Sequence, residues 1–335
     1  MDDNHVNELL TAAYPNEKTR ATYRSRLNAL KTNLPDISLF ALLTEPDTHY
    51  SALQQAYPSI TTRKNMLTVF LALFREDKAF AEAHTNAYNR WRKLHEDLTR
   101  HEKVKVKRSE PENKQIEKYT SYEEIEKKYI DLKKRAPHGT QRTSMQFLLI
   151  SIIVHLRPKR ADLGNVRIYY ENDPRFTDAN YIVLRKKGSS YLVMNVYKTS
   201  KYYETVEEDL KHGLVEDIQT SLRRWPRTYL FQTEDGKPMS NNTYSVFVKR
   251  TFEEYFGRST GVSLLRHIYI TEKLDFDNMT LGEQEEEAKL MLHTSNLQRA
   301  YKWPKKVICP KLCAAYIQPV KRTRKIKRKT KRETV

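Results

Sequence analysis

The stretch Lys289-Leu-Met-Leu-His-Thr-Ser-Asn-Leu-Gln-Arg-Ala-Tyr-Lys-Trp303 reads as the end of one helix, a polar turn and the start of another. His293 closes the first helix and Tyr301 sits on the second. Ser295 is the expected N-cap between them, because a hydroxyl there can accept from the free N–H groups of the new helix. A histidine and a tyrosine at this spacing can converge on one phosphate if arginines arrive from upstream. Alone the pair says little, since the chain has 21 tyrosines and most tyrosines pack or face solvent. Its meaning depends on what precedes it.

At 335 residues the chain is long enough for two domains, each with its own core. The net charge is +18. Such an excess repels itself unless something anionic shares the surface, with nucleic acid the first candidate and an anionic membrane surface the second. No run of about 18 apolar residues is present, so no membrane span is expected. The start, Met1-Asp-Asp-Asn-His, has neither the basic nor the apolar region of a signal peptide, and an intracellular location is expected. The two cysteines, Cys309 and Cys313, read as ordinary reduced thiols. No further ligands stand near them, and no metal ion or other cofactor is expected.

Residues 1–101 read as helical throughout. Tyr23, Leu27, Leu30 and Leu34 recur at helical spacing behind the cap candidates Asn16 and Thr19. Leu67, Phe70, Leu71 and Phe74 do so after a start signal at Ser59–Thr62, and Tyr88, Trp91, Leu94 and Leu98 mark a longer helix. These stripes are core. Basic residues between them, such as Lys18, Arg20, Arg24, Arg63 and Lys64, read as a solvated surface or, as a set, as a track for phosphates. Residues 102–118 are charged, carry Pro111 and lose the periodicity, and they read as a linker. A second domain is expected over 119–305. Ser121 and Glu124 form a capping-box signature at its start. A C-terminal segment, 306–335, ends in a tail where nine of the twelve residues Lys321–Arg332 are basic, suited to phosphate backbones or to nuclear targeting.

Within the second domain the apolar run Phe147–Leu156 is a buried helix ending in His155-Leu-Arg-Pro-Lys-Arg-Ala-Asp-Leu-Gly-Asn-Val166. Pro158 cannot continue the helix, so Arg160 is delivered on a tight turn, with Asp162 close enough to hydrogen-bond and orient it. An arginine fixed in this way suits a bidentate grip on phosphate, and equally suits a structural Arg–Asp pair. The period then changes. Tyr181–Lys187, Tyr191–Val196 and Tyr203–Leu210 read as three antiparallel strands, and Lys198 stands at the tip of the second hairpin. A lysine there either protects a sheet edge or is inserted into a groove to donate a proton. Asn241–Phe256 is an amphipathic helix. Val262-Ser-Leu-Leu-Arg-His-Ile-Tyr269 begins another, with Arg266 and His267 adjacent, and Thr280-Leu-Gly-Glu283 gives a second capping box. The fold expected is mainly α with a small antiparallel β-sheet: a helical N-terminal domain followed by an α+β domain.

The order is therefore an arginine on a helix-end turn, a lysine on a hairpin, a second arginine, a histidine and a tyrosine. It resembles the tyrosine recombinase (phage-integrase) family over roughly Thr143–Trp303, in a divergent form similar to the recombinases of large DNA viruses and eukaryotic mobile elements. Arg160 matches the family's first arginine, with Arg157 as the runner-up, and Lys198 matches the hairpin lysine. Arg266 matches the second arginine, His293 the late histidine and Tyr301 the nucleophile. There are three departures. Ser263 stands where the family has a histidine three residues before the second arginine. Asp162 follows Arg160 at the second position rather than the third. The histidine-to-tyrosine interval is one residue short. Asp162, Ser263 and His267 are supporting candidates.

The resemblance implies a core-binding domain over 1–101 and a catalytic domain over 119–305. It further implies double-stranded DNA as partner, a homotetramer in the synaptic complex and no membrane. The compartment would be wherever the DNA is, nucleus for a eukaryotic or viral protein and cytoplasm for a bacterial one. The implied chemistry is site-specific recombination through a 3′-phosphotyrosine intermediate without metal or ATP. It is physically coherent: a free phenol ionises near pH 10, so a tyrosine nucleophile needs cationic neighbours, and two arginines would also hold the charge that gathers on the phosphate. A type IB topoisomerase and a catalytically inactive DNA-binding protein are the alternatives.

Overall fold

The computed structural model describes residues 3–108, 110–135, 139–171, 179–200 and 204–304. Cys309, Cys313 and the basic tail lie outside the described residues. The chain divides into two compact units, Met1–Arg108 and Ser109–Val335.

The first unit is helical: α1 Asp3–Ala13, α2 Glu17–Asn33, α3 Leu39–Thr44, α4 Pro46–Ala56, α5 Ile60–Glu76, α6 Lys78–Ala83 and α7 Thr85–Arg108. α5 is central because it is apolar almost all round, burying Met66, Leu67, Val69, Phe70, Ala72, Leu73 and Phe74. Trp91 of α7 packs edge-on against Phe70, and its indole N–H donates to the Leu43 carbonyl at 3.0 Å. Asn16 and Ser59 cap α2 and α5 through their side chains, whereas Thr19 lies inside α2.

The stretch expected to be irregular, 102–118, differs. α7 continues to Arg108, and a short helix α8 follows at Asn113–Ile116. Glu102 is tied back to α5, accepting from the Thr61 hydroxyl at 2.9 Å and pairing with Lys64. Lys, Arg and Glu favour helix whether or not an apolar stripe runs through them, so loss of periodicity did not mean loss of helix.

The second unit continues with α9 Tyr122–Arg135 and α10 Gln141–His155. The Ser121–Glu124 capping box forms as expected, each residue's backbone N–H donating to the other's side chain. α10 is buried from Ser144 to Ile153 and serves as the core's axis. Beyond it come a 3-10 turn, Ala161–Asn165, and strands β1 Arg167–Tyr170, β2 Tyr181–Leu184, β3 Tyr191–Met194 and β4 Val206–Asp209. The sheet order is β1-β2-β3-β4. β2–β3 and β3–β4 are antiparallel, but β1 pairs parallel to β2. The sheet is thus mixed and four-stranded, not three-stranded and antiparallel. β1 escaped the sequence reading because Arg-Ile-Tyr-Tyr fully buries one side chain, Ile168, too little to register as alternation.

Among the described residues, five further helices belong to the unit: α11 His212–Arg224, α12 Asn241–Phe256, α13 Val262–Glu272, α14 Leu281–Leu290 and α15 Ser295–Tyr301. Among the described residues, no helix is long and apolar enough to cross a membrane.

Candidate active site

Three elements converge on one buried guanidinium. Arg266, on the inward face of α13, is 1% exposed. Its Nη2 donates to the Met291 carbonyl at 2.6 Å and lies 2.7 Å from Nδ1 of His293. Its Nη1 lies 3.4 Å from the Tyr301 hydroxyl, and its guanidinium sits 5.2 Å from the centre of the Tyr301 ring. A guanidinium can only donate, so Nδ1 of His293 accepts and the ring carries its proton on Nε2.

The geometry of His293 comes from how α14 ends. Thr280 and Glu283 form the expected capping box at the start of that helix. At its end the N–H of Leu292 donates to Lys289 O and that of His293 to Ala288 O, the paired bonds of a Schellman terminus. The position that usually holds glycine is filled by Leu292, at φ 58° and 1% exposed. Left-handed backbone at a residue with a side chain is costly by roughly 1 kcal/mol. It turns the chain so that the next residue points back at Arg266. Helix α15 then starts with Thr294, not Ser295, as its N-cap, the Thr294 hydroxyl accepting from Leu297 N–H. Both are hydroxyl residues, and the sharp turn at Leu292 sets which is in register. Tyr301 is the last residue of α15.

His267 holds Tyr301 from the other side. Its Nδ1 lies 2.8 Å from the Tyr301 carbonyl, to which it donates. Its ring meets the Tyr301 ring edge-on at 4.5 Å and stacks on Trp303 at 4.3 Å. The Trp303 N–H donates to Thr271 of the same helix. Burial pushes the His267 ring down to about 4, with the nearby Arg266 acting in the same sense. Burial, then Arg266, Arg160 and Lys159, push His293 down to about 3. Both imidazoles are neutral at physiological pH. Burial also lowers Arg266, to about 10, against the opposing pull of Tyr301, so it remains a cation.

Arg160 leads into the 3-10 turn that follows α10. That turn is fixed against α12 at Gly164, where an added Cβ would meet Met239 O at 2.7 Å and Tyr244 Cβ at 2.8 Å. The Arg160 charge reaches both Arg266 and His293, lowering each. The hydrogen bond expected from Arg160 to the Asp162 carboxylate is not made, and Arg160 Nε and Asp162 Oδ2 are both left without a partner among the described residues. Asp162 Oδ1 instead accepts from Asn241 Nδ2 at 3.3 Å, and burial raises its carboxyl above the ordinary range. With the arginine two residues ahead rather than three, Asp162 turns into the 3-10 segment and α12. Arg157, the runner-up, is engaged elsewhere: its Nη2 is 2.6 Å from Glu287 and its Nη1 3.2 Å from Glu208.

Lys198 is exposed in the β3–β4 connection. Its neighbour Thr199 donates from Oγ1 to the Leu292 carbonyl at 3.3 Å, which ties the lysine's segment to the turn presenting His293. Ser263 is exposed on the first turn of α13.

Three buried N–H groups at this centre have no acceptor in the protein: Arg160 Nε, Arg266 Nε and His293 Nε2. A buried donor without an acceptor costs on the order of 1–3 kcal/mol. Donors of this kind on two arginines and a neutral histidine suit a tetrahedral oxyanion, and the Tyr301 hydroxyl lies 3.4 Å from Nη1 of the central arginine. Among the described residues, no group of three or more acidic, histidine or cysteine side chains could hold a metal ion.

No family model matches the sequence, and no curated protein matches it. Among solved structures the chain is similar to a lambda integrase dimer bound to a COC′ core site, with 15% identity and a TM-score of 0.51 over 89% of this chain and 77% of that one. A lambda integrase fragment, also a dimer on a COC′ core site, matches with 17% identity and a TM-score of 0.50 over 89% of this chain and 95% of that one. XerH site-specific recombinase bound to its difH substrate aligns at 13% identity over 94% of each chain, with a TM-score of 0.42. At these identities the likeness is one of fold, shared with the lambda integrase structures.

Proposed function

We propose that the chain is a site-specific DNA recombinase that cuts and reseals double-stranded DNA through a 3′-phosphotyrosine bond. The observation that carries the reading is the set of acceptor-less donors on Arg160, Arg266 and His293, together with the Tyr301 hydroxyl 3.4 Å from Nη1 of Arg266. They match the non-bridging oxygens of a phosphodiester, on which charge builds in the transition state. Tyr301 Oη bonds to phosphorus as the bond from phosphorus to the 5′ oxygen breaks. The phenol gives up its proton to solvent water, and Lys198 delivers one to the departing 5′ oxygen. One phosphodiester replaces another, so resealing needs neither ATP nor a metal ion. On this reading the nucleophile and the anion site come from one protomer, a reading supported by the 3.4 Å approach of Tyr301 to Arg266 of the same chain. Double-stranded DNA is the partner on this reading, with a homotetramer joining two duplexes. Residues 1–108 supply the second DNA-binding unit, and the net charge of +18 favours phosphate backbones.

A nicked suicide duplex library tests this. The wild-type chain accumulates a covalent protein–DNA adduct, in EDTA as in magnesium, and Tyr301→Phe forms none while binding DNA as before. Undiminished trapping by Tyr301→Phe, or strict dependence on magnesium, refutes the assignment. A type IB topoisomerase is the second reading, favoured by Ser263 in place of the family's histidine. Relaxation of plasmid lacking any defined site would select it.

A further inference from the structure

The turn that carries Arg160 holds two more cations, and neither faces the phosphate site. Lys159 is 2% exposed. Its Nζ donates to Glu208 of β4 and to the Leu290 carbonyl at the end of α14. Arg157 makes a bidentate pair with Glu287 of α14, Nη2–Oε1 2.6 Å and Nε–Oε2 3.2 Å, and reaches Glu208 with Nη1 at 3.2 Å. Glu208 is itself 5% exposed, at an inward position of β4 where strand alternation calls for an apolar side chain. Burial pulls the Lys159 ammonium below the usual lysine range, opposed by Glu208. Hydrogen bonding to Glu287 raises Arg157.

Such a cluster is an expensive way to hold three segments together. Buried ion pairs are often neutral or unfavourable against apolar residues of the same shape, so their use points to specificity of arrangement rather than to stability. Each segment tied here continues into a residue of the candidate site. Lys159 is followed directly by Arg160. Leu290, whose carbonyl Lys159 holds, lies three residues before His293, and Glu287 lies on the last turns of the same helix. β4 is the strand into which the Lys198 connection returns. The planar guanidinium fork of Arg157 accepts few geometries, and Lys159 is enclosed between Glu208 and the Leu290 carbonyl, so the cluster fixes the register of the turn, the strand and the helix end against one another.

We propose that Lys159, Arg157, Glu208 and Glu287 form a buried ionic brace that positions Arg160 and His293 around the phosphate. The four act as positioning residues for strand transfer, and this role rests on the recombinase reading above. The brace touches no DNA. It sets where the Arg160 and His293 donors stand, and an error of about 1 Å there is enough to slow chemistry by roughly 100-fold.

The test replaces the central pair by apolar residues of similar size, Lys159→Met with Glu208→Leu, in the full chain. Two readouts are taken: the rate of covalent adduct formation on a suicide duplex, and the ¹⁵N spectrum of the His293 ring at neutral pH without DNA. The wild type shows one tautomer, with Nδ1 accepting from Arg266 and Nε2 protonated. The double variant is expected to keep its unfolding midpoint and DNA affinity, to form adduct about 10- to 100-fold more slowly, and to average its two ring nitrogens. A double variant of wild-type rate or with a single wild-type tautomer overturns the brace. Glu287→Ala, which removes both acceptors that hold Arg157 to α14, decides the matter in the same way should the double variant not fold. If the wild type forms no adduct on any duplex, the recombinase reading fails, and the ring spectrum alone still decides whether the brace fixes His293.

Discussion

Replacing His267 by asparagine should flatten the acid side of the stability profile by a calculable amount. The folded state holds the His267 ring near 4, while a histidine in the unfolded chain titrates near 6.5. The sign follows from proton counting. Below 6.5 the unfolded chain binds a proton that the folded chain refuses, so stability is complete above that value and is lost as pH falls toward the folded one. Between pH 8 and pH 5 this single ring accounts for about 2 kcal/mol of lost stability, from a slope of about 1.4 kcal/mol per pH unit. Asparagine keeps an N–H that can reach the Tyr301 carbonyl but has nothing to titrate. Urea denaturation of wild type and His267→Asn at half-unit steps from pH 8 to pH 5 isolates the term, because the contributions of His293, His155 and His95, all lowered by burial, are common to both proteins. The wild type should lose about 2 kcal/mol more than the variant across that span. Parallel profiles would show that the ring is accessible to protons in the folded protein, and the account of His267 as a dry buttress for Tyr301 would fall with it.

Two further outcomes are expected. Gly164→Ala forces a methyl against Met239 O and Tyr244 Cβ and should lower stability by about 1–3 kcal/mol, measured by thermal or urea unfolding; an unchanged midpoint would mean the 3-10 turn can back away from α12. Thr199→Val removes the donor to the Leu292 carbonyl while keeping the side chain's shape. Adduct formation should slow about tenfold with DNA affinity unchanged in a gel-shift titration, and an unaltered rate would detach the β3–β4 connection from the site.

What the sequence made readable was whatever rests on local rules. Helical stripes around Leu67 and Trp91, the caps at Asn16 and Ser59, and the capping boxes at Ser121 and Thr280 all depend on neighbours within a few residues, and each forms. A mainly helical fold with a small sheet followed from them. The misreadings have the same origin. β1 is too short to show alternation and takes its hydrogen bonds from a parallel partner 14 positions on, Tyr181 for Arg167. The charged end of α7 has no stripe to betray it. Thr294 and Ser295 are equally good caps until the left-handed Leu292 fixes the register. In the candidate site, the spacing of His293 and Tyr301 and the adjacency of Arg266 and His267 are open to inspection in the sequence. The direction in which His267 points is not. Nor is the engagement of Lys159 and Arg157 by Glu208 and Glu287, 49 to 130 residues away, which separates them from Arg160 although all three stand within four positions. One signal was available, a glutamate at the inward phase of a strand.

The bond between Thr199 and the Leu292 carbonyl spans 93 positions of sequence and ends on a peptide already wound into its least forgiving conformation. A lever attached to such a pivot transmits rather than absorbs. Any displacement of Thr199 would pull on the one peptide unit that aims His293. On the proposed chemistry, the group that releases the strand and the group that grips the phosphate are geared together, so that neither can be set without the other.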